Sequence, residues 1–190
     1  MINNLWFLKV IDEEGYRANV GIILLHPKQQ KVLWARRIRQ TSWQFPQGGL
    51  NDGDSSLSAL YRELWEEVGL RPTDVEVVAS TKSWFKYRLP EMLLRKTDST
   101  YIGQKQKWFL LRLRGADTKI NLNATSSPEF DDWRWVEFWY PLNQVIAFKR
   151  HVYRKALEMF YPLLKKESRY KKRLTFRPKR FTIPGSEKKD

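Results

Sequence analysis

The stretch from Ser42 to Leu70, SWQFPQGGLNDGDSSLSALYRELWEEVGL, constrains the fold more than any other part of the sequence. Pro46, Gly48, Gly49 and Gly53 punctuate a loop that follows a short extended piece. The loop feeds a helical pattern, with Asp54 or Ser55 placed as N-cap and Gly69 as the C-terminal stop. At about 100° per residue, Leu57, Leu60, Tyr61, Leu64, Trp65 and Val68 share one arc of roughly 140°, predicted to face a sheet. Glu63, Glu66 and Glu67 share a different arc, roughly opposite and about 100° wide. Carboxylates at i, i+3 and i+4 repel, by a few tenths of a kcal/mol per pair in an isolated helix. Read alone, E-x-x-E-E is an ordinary solvated face. Placed directly after a Gly-rich turn it suits a hard cation, because a backbone carbonyl can approach closely while the carboxylates supply anionic oxygens.

The rest of the chain surrounds this helix with strands. Residues 19–25, 31–37, 75–81, 84–89, 106–114 and 132–139 alternate or run apolar in the manner of strands. Residues 143–148 read as a short helix. Residues 150–166 read as a long one, with Val152, Ala156, Met159, Phe160 and Leu163 on its apolar stripe. This order is too rich in strands for a doubly wound sheet. It predicts an α+β chain, a mixed β-sheet with helices packed against it. Trp34, Trp43, Trp108 and Trp135 all lie in strand-like stretches and are expected in the core.

Charge narrows the partners. The 190 residues carry a net charge of +14, and residues 165–190 hold 11 Lys/Arg against 3 Asp/Glu. Such a surplus favours polyanions, nucleic acid or acidic membrane, although a basic tail also serves solubility alone. The chain has no cysteine, which excludes disulfide partners and thiolate metal sites and fits a reducing compartment. No segment reads as a signal peptide or a membrane span, so a cytoplasmic protein is expected.

Gly48, five residues, Asp54, seven residues, and then RELWEEVGL from Arg62 to Leu70 resemble the box of the Nudix hydrolases, G-x5-E-x7-R-E-U-x-E-E-x-G-U, with U a large aliphatic. Only Asp54 departs from it, one methylene shorter than the family's Glu. GYRANVGI, WQFPQGG, IGQKQKWFLLRL, SSPEFDDWRWV and AFKRHVYR extend the similarity to the subgroup that acts on 5′-triphosphorylated RNA, itself close to the dinucleoside polyphosphate hydrolases. The resemblance divides the chain into an extension (1–9), a Nudix domain (10–164) and a basic tail expected to be disordered (165–190).

That resemblance implies an α/β/α sandwich and a metal-dependent pyrophosphohydrolase. Its divalent ion would be Mg²⁺, with Mn²⁺ as the alternative and the number of ions left open. Glu63, Glu66, Glu67 and the Gly48 carbonyl would be metal ligands. Arg62 would orient a box glutamate. Glu129 would be a further ligand or the base, a role for which Glu63 is the other candidate. Arg17, Arg37, Lys105 and Lys107 would grip a triphosphate, with Ser42 donating a hydrogen bond. Phe148 would stack on a base opposite Arg37, Lys149 would contact phosphate, and Tyr87 would line the same cleft. The implied activity is removal of pyrophosphate from RNA 5′ ends, initiating mRNA decay. The alternatives are hydrolysis of diadenosine tetraphosphate and relatives, or RNA-end binding without hydrolysis. The sequence points to no protein partner.

Overall fold

A computed structural model describes residues 10–97 and 101–175. The expectations for residues 1–9 and for 176–190 lie outside the described residues.

The sheet is built around β1 (Tyr16–Leu25), whose side chains are buried on both faces from Ala18 onward. Strand alternation splits them: Val20, Ile22 and Leu24 join one apolar cluster, while Ile23 and Leu25 join the other. Along its whole length β1 pairs in parallel with β7 (Gly103–Leu113), from Tyr16 opposite Gly103 to Leu25 opposite Arg112. The chain returns from β1 into β2 (Lys31–Arg37) through a turn capped by His26, whose Nδ1 accepts the amides of Lys28 and Gln29. β5 (Val75–Ser80) and β6 (Phe85–Arg88) run antiparallel to successive parts of β7, and β8 (Phe130–Glu137) runs antiparallel to β2. Two short strands complete the mixed sheet: β3 (Trp43–Gln44) on β2 and β4 (Gln47–Gly49) on β1.

Helices cover both faces, giving an α/β/α sandwich. α1 (Ser56–Val68) seals the cluster of Val20, Ile22, Leu24, Phe109 and Leu111. On the other face α3 (Tyr140–Gln144) and α4 (Arg150–Thr175) cover Ile23, Trp34, Trp108 and Leu110. There Phe45 stacks on Tyr153 at 5.1 Å, and Trp34 and Trp108 meet the pair edge-on at 5.1–6.1 Å. Truncating any one of these rings to Ala is expected to cost about 3–5 kcal/mol. Trp34 and Trp108 are therefore core, as expected. Trp43 and Trp135 are only half-buried: Arg134 lies over Trp43 at 4.3 Å, and Trp135 meets Trp133 edge-on at 5.8 Å.

Four expectations need correction. α1 buries Ala59, Leu60, Glu63, Leu64, Glu67 and Val68, while Leu57 and Trp65 are exposed. At about 100° per residue its buried arc is turned roughly 80° from the apolar centre, toward the carboxylates. In α4 the buried stripe runs through Val152, Tyr153, Ala156, Leu157, Phe160 and Leu164, leaving Met159 exposed. The helix also continues to Thr175, beyond Leu164 and through Pro162, so the segment taken as a tail begins as helix. The short helix expected at 143–148 is instead α3, ended by extended Val145, followed by a 3₁₀ turn at Ala147–Lys149. A further helix, α2 (Glu91–Thr97), follows Pro90 and was not foreseen. Among the described residues no helix is long and apolar enough to cross a membrane.

Candidate active site: a carboxylate pocket beside a glycine strand

Local signals fix α1 against the loop before it. Ser55 caps its start, accepting the Ser58 amide at 3.0 Å, and Gly69 closes it in the left-handed region at φ 69°. A Cβ on Gly69 would strike the Asn121 carbonyl, so Gly is required there on two counts. Upstream, β4 is laddered to β1, with Gly48 opposite Val20 and Gly49 opposite Asn19. A Cβ on Gly48 would overlap the Glu63 carboxylate. Only glycine lets this backbone and that side chain meet.

Glu63, Glu66, Glu67 and Glu129, with Thr125, Ser126 and Ser127, line a pocket of about 330 Å³. Glu63 and Glu67 are 7 % and 1 % exposed, whereas Glu66 is exposed. Burial pushes the Glu63 carboxyl up to about 7, with Arg62 pulling the other way. Burial pushes Glu67 well above the usual range, reinforced by Glu129 and Glu63 and opposed by the Gln47 amide. That amide donates to Glu67 Oε2 at 2.7 Å, while the buried Oε1 has no hydrogen-bond partner among the described residues.

Arg62 is the hub of the site. Its Nη1 donates to Glu63 at 2.6 Å and to Glu66 at 3.4 Å, and its Nη2 donates to the Gly49 carbonyl at 2.7 Å and to Asp54 at 3.1 Å. The shorter Asp54 thus still reaches Arg62. Burial pushes the Asp54 carboxyl up, but the Asn51 amide and Arg62 more than offset this and hold it below its ordinary value.

Among the described residues no three His, Cys, Asp or Glu side chains are already gathered tightly enough to hold a metal ion. Glu63 is tied to Arg62, and Glu67 to Gln47. The donor set nevertheless fits a divalent cation: four glutamates line one pocket, a buried carboxylate oxygen lacks a donor, and the glycine strand lies against Glu63.

The other expected site residues divide. Arg37 reaches Glu129 at 3.8 Å, and Arg17 packs its guanidinium where a Gly49 side chain would be; the Nε of each is buried without a hydrogen-bond partner among the described residues. Ser42, half-buried, donates to Gln40 Oε1 at 3.0 Å. Lys105 pairs with Asp12 at 3.0 Å and Lys107 donates to the Lys82 carbonyl at 2.9 Å, so both cations are engaged within the protein. Phe148 lies against Tyr87, ring centres 5.7 Å apart. Tyr87 is a core residue, 2 % exposed, and donates to Gln104. Lys149 is 7 % exposed and donates to Gln44 and Gln47, turned into the protein instead of toward solvent; burial, aided by Arg37, lowers its ammonium to about 8.

Sequence reasoning missed the buried amides around Gln47, namely Asn19, Gln44 and Gln106. The signal at Asn19 was a polar residue between Ala18 and Val20; Gln106, which faces it across β1 and β7, lies between Lys105 and Lys107 and carried none.

The NUDIX domain model matches residues 15–160. The RNA pyrophosphohydrolase of Francisella philomiragia is 60% identical over 151 residues, covering 80% of this chain and 97% of that protein. That of Shewanella denitrificans is 60% identical over 154 residues, covering 80% and 89%. Among solved structures, a C. elegans Ap4A hydrolase complex superposes with a TM-score of 0.60 at 17% identity, covering 78% of this chain and 98% of its own. The E. coli dihydroneopterin triphosphate pyrophosphohydrolase does so at 0.59 and 16%, covering 75% and 93%; both likenesses concern the fold alone. Hydrolases of this family use divalent cations. The glycine strand, the acidic helix it meets, and a family match spanning most of the sequence lead to one assignment: this chain belongs to the Nudix family.

Proposed function

We propose that this protein is an RNA pyrophosphohydrolase, converting the 5′-triphosphate end of RNA and water into a 5′-monophosphate end and pyrophosphate. The observation that carries the reading is the buried, partly unpartnered glutamate pocket beside Gly48, in a chain 60% identical to proteins named for that activity. Hydrolysis of a phosphoanhydride needs charge neutralisation at phosphate oxygens and a water aligned with phosphorus.

Glu63, Glu66, Glu67, Glu129 and the Gly48 carbonyl would hold the divalent cation, Mg²⁺ in first place and Mn²⁺ as the substitute. When bound, that cation supplies Lewis-acid neutralisation of the phosphate charge. Arg62 holds Glu63 and the Gly49 carbonyl in fixed relation. Glu129 and Glu63 are the two groups suited to accept the proton of the attacking water, Glu63 because burial brings it to about 7. Arg17 and Arg37 carry donors that phosphate oxygens would satisfy. The net charge of +14 favours a long polyanion over a small nucleotide.

The test is kcat/KM for a 5′-triphosphorylated RNA against diadenosine tetraphosphate at identical salt and Mg²⁺. The RNA is expected to be preferred. A preference of roughly tenfold or more for the dinucleotide, about 1.4 kcal/mol in the barrier, reverses the assignment.

A further inference from the structure

Gln47 joins the carboxylate pocket to a buried polar cluster that the reaction above does not use. Its side-chain oxygen accepts two hydrogen bonds, from Lys149 Nζ at 3.0 Å and from Gln106 Nε2 at 3.2 Å. Gln106 is itself held by Asn19 at 3.1 Å, and Lys149 also by Gln44 at 3.0 Å. On the other side, the backbone N–H of Gln47 donates to Glu67. The Gln47 backbone is laddered to Gly21 in β1, so one residue is gripped at its side chain and aimed at its amide.

The position of Lys149 calls for an explanation. Its ammonium is buried against two neutral amides, with no carboxylate at ion-pair distance among the described residues. Desolvating a cation in this way is costly, and an apolar side chain of similar length would pack there more cheaply. A role confined to packing therefore does not account for a lysine.

We infer that Lys149 is a positioning residue: with Gln106 it fixes Gln47 so that the Gln47 amide engages Glu67 Oε2, leaving Glu67 Oε1 as the atom available to a divalent cation. The inference rests on the reading of Glu67 as a cation ligand. Partners that orient ligands from behind tune cation affinity without touching the ion.

The test uses the full chain, ¹⁵N-labelled, with Lys149→Met and Gln106→Leu. In the metal-free protein the Gln47 amide proton is expected to move upfield in both variants as its bond to Glu67 loosens. Calorimetric titration with Mn²⁺ is expected to show affinity falling roughly tenfold or more in Lys149→Met. With Mn²⁺ restored to saturation, kcat is expected to fall while KM for triphosphorylated RNA changes less than about twofold. An unmoved amide, unchanged Mn²⁺ affinity and a raised KM make Lys149 a substrate contact and overturn the inference. If Lys149→Met does not fold, Gln106→Leu carries the same comparison. If the wild type takes up no Mn²⁺, the ligand reading of Glu67 fails, and the metal-free amide comparison alone still decides whether Lys149 sets Gln47.

Discussion

Arg62 donates to Glu63 at 2.6 Å, yet the Glu63 carboxyl stands at about 7, because burial outweighs the guanidinium beside it. Removing that guanidinium leaves the burial unopposed and drives the carboxyl higher still. Arg62→Ala is therefore expected to shift the acidic limb of the kcat/KM–pH profile upward and to lower kcat/KM by roughly 100-fold at neutral pH, since Arg62 also holds the Gly49 carbonyl and Asp54. A pH–rate profile of the folded variant checks this; an unmoved limb removes Glu63 from the titration that controls rate.

The same burial makes the metal-free protein sensitive to pH. Glu63 and Glu67 are raised in the folded state, so between the ordinary value of 4.5 and about 7 the folded chain holds protons that the unfolded chain has lost. Stability from Glu63 is fully present below 4.5 and is lost as pH rises through about 7, and Glu67 acts in the same direction. For Glu63 alone the loss is about 3 kcal/mol at most. Thermal melts in a chelator are expected to show Tm falling from pH 5 to pH 7.5, with a smaller fall in Glu67→Gln and recovery on adding Mg²⁺.

The double substitution of Glu66 and Glu67 by Gln removes anionic oxygens from the pocket while keeping side-chain size. Turnover is expected to vanish, with RNA binding in filter assays changed by less than about threefold, because Arg17 and Arg37, the proposed phosphate contacts, remain. Residual activity near wild type would remove these glutamates from the ligand set.

Gly48→Ala places a methyl group inside the Glu63 carboxylate. Either β4 or α1 must give way, at about 1–3 kcal/mol of stability. Activity is expected to fall much further than stability, since the displaced group is Glu63. Denaturant titration and single-turnover kinetics on one preparation separate the two effects.

Deleting residues 165–190 removes the basic segment, including the part of α4 beyond Leu164. If that segment contacts RNA, KM rises and the dependence of KM on salt flattens, with kcat for short substrates unchanged. An unaltered salt slope makes the segment irrelevant to RNA.

The sequence made the box legible because its chemistry is local: a glycine, an arginine and three glutamates at fixed spacing on one turn and one helix. The strands were legible too, since their alternation is written residue by residue, and Ile22/Ile23 or Trp108/Phe109 fall on opposite faces as that period requires. What could not be read was the rotation of α1. Apolar periodicity places Leu57 and Trp65 inward, but the glycine strand draws Glu63 and Glu67 into the interior, and the apolar pair is exposed instead. The burial of Lys149 was not legible for a related reason. Its partners Gln44 and Gln47 lie more than a hundred residues away in sequence, and no local pattern distinguishes a lysine aimed at solvent from one aimed at two buried amides.

The parallel pairing of β1 with β7 has a temporal consequence. Asn19 and Gln106, which meet across it, are 87 residues apart, and Gln106 is one of the two donors to Gln47. During synthesis the glycine strand and the whole acidic helix emerge well before their support does. A nascent chain halted before Gly103 carries every box residue and still lacks the scaffold that orders them, so catalytic competence in this protein arrives late, with the closing of the long loop between β1 and β7.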